Sequence, residues 1–363
     1  MTVLANFKTF LANTLPPDAQ KVYEDLRAAD VPVSDAICQL CPNPCDQDHD
    51  DYSGRISVDM EEDMLGSVKP YRRQASIFLA VIISTGKSDW PKEVTEVDGT
   101  LATFLRGVTE TFEAGRTQNK DERAGNSRTP LPPGLFTQTD AHRLSIQNGS
   151  HNSFSDDPSQ DTVIVLPDFK VIADIPRSLA GAETLWTAAL DPSYGRLGAQ
   201  SRSDSLRSWA LPYSCVILLC SHKGRDKRCA IAAPVLEKTF THYLEHEGWM
   251  VHTELEDLSR NPTLESSLMN GPEPEAAFET QLKALGGEHK TLILRNSHIG
   301  GHKFAGNVII YNPQGTGVWY GRVTPHDVES IVKNTIINGQ VLPPILRGGM
   351  NLARPGCKAL HDW

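Results

Sequence analysis

The apolar run Ser76-Ile-Phe-Leu-Ala-Val-Ile-Ile83 predicts a buried strand, and Asp161-Thr-Val-Ile-Val-Leu-Pro167 predicts a second. Between them, Leu101, Phe104, Leu105 and Val108 fall on one face of a helix over 97–112. Residues 1–36 read as a helical approach segment. Pro16-Pro17-Asp18 starts a helix there, and Val22, Leu26 and Ala29 keep its spacing. Residues 114–160 are rich in Asn, Ser, Asp, Gly, Gln and Pro, which predicts a long loop or flexible insertion. A short helix over 180–190 then leads into a Ser/Arg-rich connector ending near Arg207.

Beyond that connector the pattern becomes regular. It predicts strand 214–219, loop 220–229, a helix from Cys229 to Glu247, strand 249–254 and helix 273–285. Next come strand 291–296, a His-containing loop, strand 307–311, a tight turn at Asn312-Pro-Gln-Gly315 and strand 317–321. Helix 325–337 closes the series, started by Thr324-Pro325 with proline in the first turn. The order β-α-β-α-β-β-α is that of a thioredoxin-like domain, an α/β class. A chain of 363 residues has room for two domains. They are drawn as an α/β domain over 1–207, open to reading as a degenerate thioredoxin-like one, and a thioredoxin-like domain over 208–363.

Net charge is −10, which argues against nucleic acid as a partner, because phosphate binding needs a basic face. No apolar run approaches the ~18–20 residues that span a bilayer, so no membrane partner is expected. Met1–Phe10 lacks Arg and a long apolar core. A cytoplasmic location is expected, with a mitochondrial one as the alternative. The seven cysteines are odd in number with no secretory signal, which favours metal or redox sites over a disulfide framework.

The candidate chemistry lies where two predicted strands end. Cys220-Ser-His-Lys-Gly-Arg-Asp-Lys-Arg-Cys229 follows the first, and His298-Ile-Gly-Gly-His302 follows the second. Two thiolates and two imidazoles from adjacent loops make a four-ligand site for a metal or an iron–sulfur cluster. Cys229 at a helix start, beside Lys223, Arg225, Lys227 and Arg228, is expected to favour the thiolate. His298-x3-His302 is not the helical zinc-protease motif, since Gly300-Gly301 opposes helix and there is no Glu. Cys220-Ser-His222 matches one Rieske box, but Cys229 is followed by Ala-Ile-Ala and the second box fails. His222 stays as a reserve ligand or hydrogen-bonding neighbour. Cys38, Cys41 and Cys45, with His49 nearby, form a second cluster, read as a thiol cluster more than a metal site. Gly86-Lys87-Ser88 lacks the upstream glycine of a phosphate loop, because position 81 is Val, and reads as a turn.

Cys220-x8-Cys229, His298-Ile-Gly-Gly-His302-Lys-Phe-Ala-Gly-Asn307 and Val318-Trp-Tyr-Gly-Arg-Val-Thr-Pro325 together resemble the sucrase/ferredoxin-like proteins. Ser84-Thr-Gly-Lys-Ser-Asp-Trp90 and the N-terminal Cys38-x2-Cys41-x3-Cys45-Asp46 resemble them too. The resemblance implies a thioredoxin-like ferredoxin domain with a [2Fe–2S] cluster held by Cys220, Cys229, His298 and His302. Spacing alone leaves zinc open, so a structural zinc module is the alternative reading. Neutral His ligands imply a potential above that of plant-type ferredoxins and, where a ring nitrogen reaches water, a pH-dependent one. The implied role is one-electron transfer or redox sensing with an unidentified redox partner. A thiol oxidoreductase using Cys38 and Cys41 is a third, weaker reading. Asp362-Trp363 resembles the ending by which clients bind the cytosolic iron–sulfur assembly and targeting machinery, although His361 replaces the usual aliphatic residue. No carboxylate pair with a glycosidase context stands out.

Overall fold

The computed structural model describes residues 17–36, 53–68, 79–116, 131–136, 144–199, 206–268 and 271–363, and within them twelve strands form one mixed sheet. Cys38, Cys41, Cys45 and His49 lie outside the described residues. In chain order come α1 (Pro17–Ala28), β1 (Ala80–Ser84), α2 (Leu101–Arg116), β2 (Leu135–Phe136), β3 (Ser145–Gly149), β4 (Gln160–Leu166), β5 (Lys170–Pro176), α3 (Leu179–Leu185) and β6 (Arg207–Ala210). They continue with β7 (Cys215–Cys220), α4 (Lys227–His246), β8 (Met250–His252), α5 (Leu264–Ser267), α6 (Pro274–Leu285) and β9 (Lys290–Asn296). Last are β10 (Val308–Tyr311), β11 (Gly317–Tyr320), α7 (Pro325–Ser330) and β12 (Leu346–Met350). The chain is thus an α/β protein with a large mixed sheet flanked by helices.

Local chemistry sets the element ends. Ser178 caps α3 by accepting from Gly181 N, and a wider turn, Trp186–Leu190, extends that helix. Thr324 and Asp327 form a reciprocal capping box at the start of α7. Asn312 N bonds Thr316 O at 3.1 Å across the β10–β11 turn, and Gly315 takes φ +85° there.

The strand order is β2-β12-β11-β10-β7-β9-β3-β1-β4-β5-β6, with β8 beside β9. β7 and β8 both run parallel to β9, and β1 runs parallel to β3. One edge of β9 is shared: β8 occupies Lys290–Leu292, and the tip of β3 meets Asn296 through Gly149. The N- and C-terminal parts of the sheet therefore join at one end of β9. β6, at the expected boundary near 207, pairs with β5. One apolar cluster runs through both parts, from Ile82 and Ile164 to Leu218, Leu294 and Phe278. The outer face of the N-terminal strands packs under α2 and α3, and α1, α4 and α7 cover the other face of β7 and β10.

Five strands were not expected: β2, β3, β5, β6 and β12. Residues 114–160 are not one long loop, because β2 and β3 lie within them and β3 is internal to the sheet. Its sequence, Ser145-Ile-Gln-Asn-Gly149, is mostly polar. The strand is tied to the β9 end by its polar groups: Asn296 Nδ2 donates to the buried Gln147 Oε1, and the Asn148 backbone N donates to Ser297 Oγ at 3.0 Å. β5 completes an antiparallel hairpin with β4. β12, Leu346-Arg-Gly-Gly-Met350, has glycines where periodicity needs side chains. Among the described residues no helix is long and apolar enough to cross a membrane.

Candidate metal centre

Three loops converge where β1, β7 and β9 end. Cys220 is the last residue of β7, 3% exposed, and its N–H donates to Asn307 O at 3.2 Å. The chain then turns tightly, with Arg225 N and Asp226 N both donating to His222 O. Asp226 caps α4 by accepting from Arg228 N at 2.9 Å. Cys229 follows inside the first turn of α4, 1% exposed.

The His loop starts after β9. Gly300 and Gly301 take φ +82° and +67°, a left-handed bend that suits glycine. Asn307 Nδ2 ties the bend by donating to Gly301 O at 3.0 Å. The bend brings the His298 and His302 rings to 5.4 Å between centroids, inclined by 42°. His302 is exposed, whereas His298 keeps its Nδ1 buried with no hydrogen-bond partner.

The four expected ligands form a row of contacts. The Cys229 thiol and the His298 imidazole both contact the Cys220 sulfur, and His302 flanks His298. Among the described residues no three His, Cys, Asp or Glu side chains close on a single point as a finished metal site would require. The expectation that Cys229 carries the thiolate is reversed. Hydrogen bonding from Cys229, helped by His298 and the Ile299 N–H, holds Cys220 well below the usual thiol range against the effect of burial. Cys229 is pushed up by sharing its proton with Cys220 and by burial, and Asp226 adds to this while Arg228 opposes it. Burial, with the His298 neighbour, also lowers the His302 pKa.

His222 is not a ligand in this arrangement, because both ring nitrogens are engaged. Its Nδ1 accepts from His298 N at 3.1 Å, so Nε2 carries the proton and faces Trp90 O and Pro91 O, each at 2.9 Å. This buried ring joins three loops. The Ser84–Pro91 turn is thereby a brace for the Cys loop. Ser221 Oγ donates to Ser88 O at 2.9 Å, Gly224 N donates to Asp89 Oδ1 at 3.0 Å, and Trp90 Nε1 donates to Thr85 Oγ1 at 2.9 Å. Periodicity could not reveal that role; only the unusual Thr-Gly-Lys-Ser-Asp-Trp run hinted at it.

Of the basic residues, Arg225 pairs with Glu93, and Arg228 pairs with Asp226 at 2.8 Å while reaching Ser57 O at 3.0 Å. Lys223 and Lys227 are exposed. Residues 53–68 strap the site on the opposite side: Asp59 N donates to Lys303 O, and Arg322 donates to Asp59 O and to Glu62 O at 2.7 Å. Asp362 and Trp363 make contacts with the rest of the chain. The Asp362 carboxylate accepts from Lys358 N and Ala359 N, and the Lys283 ammonium lies 5.2 Å from the centre of the Trp363 ring. Cys215, the other deeply buried thiol, is pushed up to about 12 by burial and is inert.

The site is therefore a pair of thiols and a pair of imidazoles at converging strand ends of an α/β chain. The sucrase/ferredoxin-like profile matches residues 64–348, and the chain belongs to that family. It is similar to the altered inheritance of mitochondria protein 32 of Meyerozyma guilliermondii, 29% identical over 136 residues, covering 38% of this chain and 35% of that protein. The protein of the same name in Clavispora lusitaniae is 32% identical over 37% of this chain and 34% of its own length. Actin patches distal protein 1 of Saccharomyces cerevisiae is 37% identical over 33% of this chain and 29% of its own length. The chain thus spans about a third of the length of the curated relatives it matches. No solved structure matches it.

Proposed function

We propose that this chain is a one-electron redox protein holding a [2Fe–2S] cluster through Cys220, Cys229, His298 and His302. The observation that carries the reading is the pairing: thiol against thiol, imidazole beside imidazole, with the two pairs in contact through Cys220 and His298. A two-iron cluster asks for ligands two by two, whereas a single zinc asks four to meet at one point. The buried, unpartnered His298 Nδ1 adds a polar atom without a protein partner. The order β7–α4–β8–α6–β9–β10–β11–α7, with the one-turn α5 between β8 and α6, supports a thioredoxin-like ferredoxin half.

When bound, the cluster supplies one-electron oxidation and reduction. The protein contributes position and environment. Asp226 fixes the α4 start that presents Cys229, and His222 locks the His loop to the Cys loop. His302 is the ring open to water, so proton uptake coupled to reduction belongs to it. Delivery of the cluster by the iron–sulfur targeting machinery through Asp362 and Trp363, and a cytoplasmic location, belong to the same proposal. A mitochondrial location is the alternative, decided by cell fractionation.

The test is His298→Cys in protein purified without air. Replacing a neutral ligand by a thiolate adds negative charge, so the cluster is retained and its potential falls by on the order of 100 mV, towards plant-type values. An unchanged potential would remove His298 from the ligand set.

A further inference from the structure

We infer that Arg347 is both the clamp of the His-loop bend and a buried counter-charge for the Cys220–Cys229 pair. This rests on the reading of those cysteines as cluster ligands.

Arg347 belongs to the glycine-rich strand β12, held between β2 and β11, and is 1% exposed. Its Nη1 donates to Asn307 Oδ1 at 2.6 Å and to Gly300 O at 3.2 Å, and its Nε donates to Ser67 Oγ at 3.1 Å. Asn307 in turn holds Gly301 O through its amide and Cys220 N through its carbonyl. One guanidinium and one amide therefore register the two ligand loops against each other. Glycines shape the space for it. A Cβ at Gly301 would lie 2.2 Å from Arg347 Nη2, and one at Gly321 would lie 2.6 Å from its Cδ. Arg347 and Arg322 both lie by the Phe304 ring, their guanidinium carbons 5.7 and 5.0 Å from its centre.

The charge balance gives the functional consequence. The hydrogen-bond partners of Arg347 are neutral, Asn307 Oδ1, Gly300 O and Ser67 Oγ, and through Asn307, whose backbone carbonyl holds the Cys220 N–H, the guanidinium is set beside the cysteine pair, which supplies the negative charge that acts on it. A buried guanidinium without a counter-anion is unfavourable, so the thiolates satisfy Arg347 as much as it satisfies them. Arg322, by contrast, lies close to Asp59, Glu62 and Asp63. Burial pulls Arg347 down to about 10, which leaves it charged at neutral pH. Adding an electron to a centre beside a fixed positive charge is easier, so Arg347 raises the potential.

The experiment compares Arg347→Met, Arg347→Lys and Arg322→Met in the full chain purified without air. Iron and sulfide per chain, the visible spectrum and the potential are read together. Arg347→Met shifts the reduction equilibrium at least tenfold towards the oxidised form, equivalent to 59 mV for one electron. Arg347→Lys keeps the potential within that tenfold but loses iron to a chelator faster, because one ammonium cannot reproduce the planar fork. Arg322→Met moves the potential less than Arg347→Met. An Arg347→Met protein with full cluster and an unmoved potential would overturn the inference. If the Met variant does not fold, the Lys variant decides, since a tenfold shift there denies the role of charge. Wild-type protein without iron and sulfide overturns the cluster reading itself, and that is seen before any variant is compared.

Discussion

His151 is fully buried at the end of β3, and neither ring nitrogen makes a hydrogen bond. Burial lowers its pKa from 6.5 to about 4, with the Thr162 backbone opposing weakly. The unfolded chain then binds a proton that the folded one refuses. Stability from this residue is complete above pH 6.5, falls as the pH drops towards 4 and levels off below that. The shift corresponds to on the order of 3 kcal/mol. Denaturant unfolding of wild type and His151→Leu between pH 7 and 4 checks this: the variant's curve should be flatter by about that amount. Equal slopes would show that His151 is not buried neutral. The thiols follow the same logic of environment over type. Spacing identified Cys220 and Cys229 as a pair, but which one carries the anion depends on the Ile299 N–H, His298 and Asp226, none of them adjacent to both.

The Gly300-Gly301 bend is the element on which the imidazole pair depends, and its glycines are unequal. Both have positive φ, so alanine at either costs about 1–2 kcal/mol of backbone strain. A Cβ at Gly300 meets nothing within 4 Å, whereas one at Gly301 strikes the Arg347 guanidinium. Gly301→Ala should therefore lose more stability than Gly300→Ala in urea unfolding and retain less iron; equal losses would contradict the packing described. The bend was legible because two glycines between two histidines leave few other uses. Strands β7, β9, β10 and β11 were legible because they are apolar and buried on both faces. β3 and β12 were not, since the buried polar side chains of Gln147 and Arg347 are satisfied by hydrogen bonds that only partners distant in sequence provide. The Ser84–Pro91 brace was hidden for the same reason: its contacts are backbone carbonyls meeting Ser221 and His222.

One continuous sheet places the ligand loops where its two parts meet, at the Gly149–Asn296 pairing beside the end of β9. A second joint lies away from the site. Arg196 donates to Pro167 O and Pro313 O at 2.8 and 2.7 Å, tying the β4–β5 turn to the β10–β11 turn, and the Lys170–Asp168 pair is buried beside it. The N-terminal strands thus form part of the scaffold that fixes the Cys and His loops. The chain belongs to the sucrase/ferredoxin-like family, and the two thiols and two imidazoles are the residues to which we assign its proposed cluster chemistry. Iron, acid-labile sulfide and zinc, measured on one anaerobically purified sample with its visible spectrum, test that chemistry most directly. The account predicts about two irons and two sulfides per chain and a red-brown colour. Zinc without sulfide, in colourless protein, would contradict it and leave a structural metal module.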